Sequence, residues 1–303
     1  MLWLDDPLLV HVVSVIVVLQ IFFSSVFRFK VNGRTEHGTH KADVAAYNLV
    51  VFLVNSTCAY EGTRYFLDGT AGALDTTHIS RLYAMSPKFR FLGTLTAGFE
   101  IYNTLAVILF SDYRTFAFIG HHATTLLLAL FGFNPSLLHY YGFFFFGIVQ
   151  ISSAPLALAE VFTLFNASSL HAASLGVFAI SFLIVRSIAW PIVSIRFWRD
   201  TMVAMQTSER SLGPLAMYLA ANVFLTGLQV VWTGSVVRGI FDALGLGKSQ
   251  AAKRKAVPPK RAVTPTRVMR SSTPKRAFAK PTSPRATKRT ASPAKRAASK
   301  KVG

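Results

Sequence analysis

Of the polar residues inside long apolar runs of this chain, twelve stand out: Glu100, Tyr102 and Asn103; His121 and His122; Gln150, Ser152, Ser153 and Glu160; Arg186; and Asn222 and Gln229. Glu100 and Asn103, three apart, share one helical face, and Asn222 and Gln229, seven apart, share another. On a helix the adjacent histidines diverge by about 100°. At most one of them faces the centre of a cavity, and its neighbour faces an adjoining helix. A histidine exchanges a proton near neutral pH, and a carboxylate that orients it makes it a competent general base. Glu100 is the candidate for that second role. The same side chains, with Arg186 as a fixed positive charge, also suit recognition of a polar headgroup. Ser152, Ser153, Asn222 and Gln229 read as hydrogen-bonding groups between helices.

Other chemistries find less support. His37 and His40 are three apart in a polar stretch (EHGTH) read as a loop. Neither they nor the adjacent pair match the i, i+4 histidines plus acid of a helical zinc site, so no metal and no cofactor are expected. No phosphate-cradling glycine loop and no nucleophile elbow occurs in the sequence. Cys58 is the sole cysteine, which excludes a disulfide-built scaffold and leaves a small, inert apolar residue.

The elements that must position these groups are membrane helices. Of 303 residues, 52% are hydrophobic and 15% charged, with a mean hydropathy of +0.42, too apolar for a soluble chain of this length. A bilayer core of about 30 Å takes about 20 apolar residues in a helix. Such runs occur at Leu8–Phe27, Val44–Tyr60, Phe91–Phe110, Thr115–Phe133, Leu138–Phe165, Ala172–Ile195 and Leu215–Val237. Seven spans are expected, with six as the alternative count. The second is the weakest, diluted by Asn48, Asn55, Ser56 and Thr57. The first follows an acidic leader (MLWLDDP) and exceeds the roughly 7–15 residues of a signal core, so it reads as a retained span. An isolated charge at bilayer centre costs about 2.5–3.5 kcal/mol, and Glu100 and Arg186, at matching depth, are expected to pair.

Charge is distributed unevenly. From Lys248 to Gly303 there are eighteen Lys/Arg and no Asp or Glu, which leaves 14 basic against 13 acidic residues in the first 247. Of the formal charge of +19, +18 therefore belongs to the tail. Basic residues in the short loops split evenly, and the tail itself favours a cytosolic C-terminus. Seven spans then put the N-terminus on the opposite side and the acceptor pattern Asn166-Ala167-Ser168 in the cytosol.

Gly98 to Leu156 resembles the TLC domain family, which includes the ceramide synthases and several lipid-regulating membrane proteins. GFEIYNTL (Gly98–Leu105) is similar to a segment in which Tyr102 matches a tyrosine and Asn103 stands where aspartate is usual. FIGHHATTLLL places His121 and His122 on the family's paired histidines, and QISSAPL (Gln150–Leu156) resembles a motif of the non-synthase branch with Gln150 in place of glutamate. Arg186 and LQVVW (Leu228–Trp232) also fit, and the likeness extends over about residues 44–240. Ceramide synthases follow the histidine pair with a motif ending in histidine-aspartate and a further aspartate; GIVQISSAPLALAE has no acid before Glu160. The resemblance implies a lipid-handling membrane protein more strongly than it implies ceramide synthesis.

The tail is Ala, Lys, Arg, Pro, Ser and Thr with Met269 and Phe278, a composition that cannot bury a core. Thr264-Pro265, Thr273-Pro274, Ser283-Pro284 and Ser292-Pro293 recur every nine or ten residues and suit proline-directed kinases. An anionic membrane surface is the expected partner, ahead of nucleic acid or a solvated spacer.

The expected architecture is an all-α bundle of about seven spans: an N-terminal span and basic loop (1–43), a membrane domain (44–242) and a disordered tail (243–303). The expected function is binding of a membrane lipid or regulation of membrane lipid composition in an endomembrane such as the endoplasmic reticulum, or in the plasma membrane. His121, His122, Tyr102, Asn103, Gln150 and Arg186 would contact the ligand. The enzymatic alternative is N-acylation of a sphingoid base with acyl-CoA as substrate, using His121 or His122 as base and Glu100 as orienting group. A seven-helix receptor is favoured by helix count alone.

Overall fold

A computed structural model describes residues 6–30, 36–132, 137–207 and 213–246, all within one compact unit, Met1–Arg254. Arg34, the basic tail and its Thr-Pro and Ser-Pro repeats lie outside the described residues. No strand occurs among those described. Helices α1 (Pro7–Lys30), α2 (Glu36–Leu67), α5 (Phe89–Leu109), α8 (Gln150–Leu164), α9 (Ser168–Phe182), α10 (Trp190–Thr207) and α11 (Gly213–Ala243) are the long elements. Short helices α3 (Thr70–Leu74), α4 (His78–Tyr83) and α7 (His139–Gly142) connect them, and α6 (Phe116–Gly132) carries the histidine pair.

Among the described residues six helical stretches are long and apolar enough to cross a bilayer: Pro7–Lys30, Gly38–Leu67, Phe89–Leu109, His139–Leu164, Ser168–Thr207 and Gly213–Ala243. The seventh expected span is the shorter apolar helix Phe116–Phe131. At 1.5 Å per residue it reaches only about 25 Å, less than the hydrocarbon thickness. Ser168–Thr207, at about 60 Å, is about twice that thickness, so part of it stands outside the apolar layer. The stretch EHGTH is not a loop: Glu36 to His40 open α2, and His40 Nε2 meets Asp112 at 2.7 Å.

The weak second span is the hub of the bundle. Helix α2 packs on α1, α5 and α8, and 56% of its apolar window is buried, against 22% for α1 and 28% for α11. Its Asn48 and Asn55 are therefore interior, where polar side chains cost least in a membrane. The backbones of α2 and the 143–148 segment cross so closely that a Cβ on Gly62 would lie 2.5 Å from Gly147 Cα, and the reverse contact is equally short. Only the paired glycines permit that approach.

Among the described residues two wide turns of π-helix interrupt the ladder, Phe143–Ile148 and Leu183–Ala189. The second has a visible cause. Pro191 cannot donate to the carbonyl of Ser187, and its ring crowds that oxygen, so the preceding turn widens. Such bulges re-aim side chains, and Arg186 lies on this one. The Phe143–Phe146 run is mostly core: Phe143, Phe144 and Phe146 are buried.

Candidate functional site

A cavity of about 60 Å³ lies among α5, α6, the segment 137–150, the second π-turn with α10, and α11. At about 10–15 Å³ per water, it has room for a handful of water-sized groups. Its walls are mainly Phe and Leu side chains, with Trp190 and Val149. Into this apolar surround come Glu100 from α5, His121 and Thr125 from α6, Gln150 from α8, Arg186 from the π-turn, and Tyr218 and Asn222 from α11. Groups far apart in the chain thus converge on one hollow.

Arg186 is 7% exposed. Nε donates to Ser152 Oγ at 2.8 Å, Nη2 to Ser153 Oγ at 2.8 Å, and Nη1 to Gln229 Oε1 at 3.4 Å. All three acceptors are neutral. The expected ion pair with Glu100 does not form. The widened turn directs the guanidinium toward the α8 serines, and the Glu100 carboxylate meets His122 on α6. Ser152, Ser153 and Gln229 do serve as interhelical hydrogen-bonding groups, as does Asn222, which accepts from Trp198 Nε1 at 2.8 Å.

Glu100, 2% exposed, lies with Oε2 3.0 Å from Nδ1 of His122. Which of its neighbours Nδ1 donates to or accepts from follows the tautomer of the ring. The side-chain amide of Asn103 is 3.0 Å from the same nitrogen. Tyr47 donates to Asn103 Oδ1, and Tyr102 donates to Gln20 Oε1 at 2.8 Å. Tyr102 and Asn103 thus join α5 to α2 and α1, outside the cavity lining. His122 is likewise absent from the lining, whereas His121 is part of it. The divergence expected of adjacent helical residues is realised, with one ring toward the hollow and one toward the neighbouring helix. The His121 ring meets Trp232 edge to face at 5.1 Å, which places the LQVVW tryptophan against the histidine pair.

One end of the cavity rests on a charged cluster. Tyr141, a lining residue, donates to Asp200 Oδ2 at 2.5 Å. Arg81 grips the same carboxylate through Nε and Nη2 at 2.5 and 2.7 Å and reaches Asp75 at 3.1 Å. Asp200 pushes the Arg81 guanidinium above its ordinary range by hydrogen bonding and charge. Arg196 and Tyr140 also meet Asp75.

Of the residues singled out in the sequence, Glu100, His121, Gln150 and Arg186 line the hollow together, while His122 and Asn103 stand behind Glu100. Glu160 is exposed on α8, away from the cavity. Tyr141, Tyr218 and Trp190 were not foreseen as lining, because an aromatic residue in an apolar run carries no signal that separates it from bulk. Among the described residues no group of three His, Cys, Asp or Glu could hold a metal ion.

A family profile described as the TLC domain matches residues 44–238, well over half of the chain, from the first turns of α2 nearly to the end of α11. No curated protein sequence matches.

Proposed function

The chain belongs to the TLC domain family, and on that premise we propose that it binds a membrane lipid in the α5–α6–α11 cavity and adjusts membrane lipid composition by holding or sensing that lipid. The observation that supports this most is the meeting of Glu100, His121, Gln150 and Arg186, from four separate segments, on one largely apolar hollow. Polar groups surrounded by hydrocarbon-like walls suit the polar end of an amphipathic ligand. The division of labour between the histidines argues against turnover: His122 is oriented by a carboxylate but is not in the lining. His121 faces the hollow, yet its Nδ1 has no hydrogen-bond partner among the described residues. A base must reach the proton it removes.

The Glu100–His122 pair supports the second reading, N-acylation of a sphingoid base from acyl-CoA, since Glu100 supplies an acid that the motif after the histidines lacks. One experiment separates the two. Purified protein is incubated with a long-chain base and acyl-CoA beside the His121→Ala/His122→Ala variant, and co-purified lipid is identified by mass spectrometry. Lipid carried through purification without amide formation is the expected result. Histidine-dependent amide formation would replace the binder with the enzyme.

The tail is proposed to lie on the anionic cytosolic face of an endomembrane. Each Lys/Arg near such a surface contributes about 1 kcal/mol, and attachment to a membrane body favours the adjacent leaflet over nucleic acid. Binding of the tail peptide to anionic vesicles should weaken steeply between 50 and 300 mM salt, as ~10 Å Debye screening at 0.1 M requires. Salt-insensitive binding would remove the electrostatic account.

A further inference from the structure

Arg186 is a buried cation without a buried anion. Its three hydrogen-bond acceptors are two hydroxyls and an amide oxygen, which orient the guanidinium without neutralising it. Among the described residues no carboxylate lies within ion-pair distance of it; the one acidic side chain in the cavity wall, Glu100, is engaged by His122 instead. A guanidinium has five N–H groups. Three are used here, which leaves one on each terminal nitrogen, the pair that forms a two-pronged contact with an oxyanion. The neighbouring Gln229 adds to the imbalance: Oε1 accepts from Arg186, and its buried Nε2 has no acceptor among the described residues. Donors exceed acceptors around the guanidinium, the one member of this group that lines the hollow. An isolated ion in a low-dielectric interior is costly, and an excess of N–H donors is relieved by a group rich in lone pairs and carrying negative charge.

We infer that the Arg186 end of the cavity binds the oxyanion of a lipid headgroup, a carboxylate or a phosphate. The inference rests on the lipid-binding reading proposed above and names the headgroup class that reading leaves open. The fork of free N–H groups accounts for the oxyanion, and a hollow of about 60 Å³ has room for that headgroup but not for the chain attached to it.

The test uses full-length protein in detergent micelles and four probes: oleate, 1-oleoyl-lysophosphatidate, oleyl alcohol and inorganic phosphate. Displacement of a tritiated oleate or lysophosphatidate tracer reports affinity. Wild type should bind at least one anionic lipid tenfold or more tightly than oleyl alcohol, with inorganic phosphate failing to compete at millimolar concentration. Arg186→Gln should lose at least tenfold in affinity for the anionic lipid and little for the alcohol. Arg186→Lys, which keeps the charge but not the fork, should fall between them, and it also guards against a glutamine variant that does not fold. Equal binding of the alcohol and both anions would overturn the oxyanion while sparing the lipid site. Binding of none of the three lipids would remove the lipid-binding reading itself. Full competition by inorganic phosphate would overturn the assignment of the anion to a lipid.

Discussion

Nδ1 of His122 and Oε2 of Glu100 stand 3.0 Å apart, joining α6 to α5 where both are surrounded by apolar side chains. A hydrogen bond with a charged partner contributes about 1.5–3 kcal/mol, whereas leaving one member of a buried pair alone costs about 3–5 kcal/mol. His122→Ala, which strands the carboxylate, should therefore destabilise more than Glu100→Gln, which removes the charge and keeps a polar group in place. The double variant should lose less than the sum of the singles, by more than about 0.5 kcal/mol. Thermal unfolding in micelles measures all three. Strict additivity would show that the two groups do not interact.

The crossing of α2 over the 143–148 turn depends on Gly62 and Gly147. Gly147→Ala drives a Cβ to 2.5 Å from the opposing backbone, where no flexible side chain can yield, so a loss of at least about 1–3 kcal/mol is expected. Gly176→Ala on α9 meets nothing within 4 Å and should be neutral or up to about 1 kcal/mol stabilising. Equal melting temperatures for the two alanine variants would contradict the close crossing.

The cluster below the cavity should show graded losses. Tyr141→Phe removes one hydrogen bond to Asp200, about 1 kcal/mol, and leaves Arg81 in place. Asp200→Ala strands Arg81 and should cost toward the lower end of about 3–5 kcal/mol, because Asp75 remains 3.1 Å from Arg81. Hydrogen exchange of the α4 amides provides the local readout. Faster exchange in the phenylalanine variant than in the alanine variant would reverse the assignment.

The turn after α2 should respond to acid. Thr70, through hydroxyl and backbone N–H, and Lys88 hold the Asp68 carboxyl down to about 2. A lowered folded value means that the stabilisation is complete above the ordinary carboxylate range, near 4. It declines as pH falls from there toward about 2. Amides of residues 69–74 should be protected equally at pH 7 and 5 and less protected at pH 3, and Asp68→Asn should flatten that dependence. An unchanged pH profile in the asparagine variant would assign the effect to another group.

The amino-acid order alone determined the class of this molecule. Transfer of a polar backbone into hydrocarbon is so costly that apolar runs of about 20 residues admit a helix and little else; hence the long spans, the family motifs and the separation of a nearly neutral body from an +18 tail were all legible. The 100° between His121 and His122 was legible for the same reason, being a property of the helix itself. Partnership was not. Glu100 and Arg186 shared a depth, but which helix stands beside which is settled by packing across the bundle, through the Gly62–Gly147 crossing and the widened turn before Pro191. Those features sent Glu100 to His122 and Arg186 to Ser152 and Ser153. Tyr141 and Tyr218 joined the cavity wall without any local pattern to announce them, because an aromatic side chain obeys the same hydrophobic rule at a lipid face, in a core and beside a ligand. Helical periodicity is a short-range property written in neighbouring residues; the convergence of a carboxylate, a guanidinium, an imidazole and two amides on one hollow is a long-range property, and it exists only once the helices are packed.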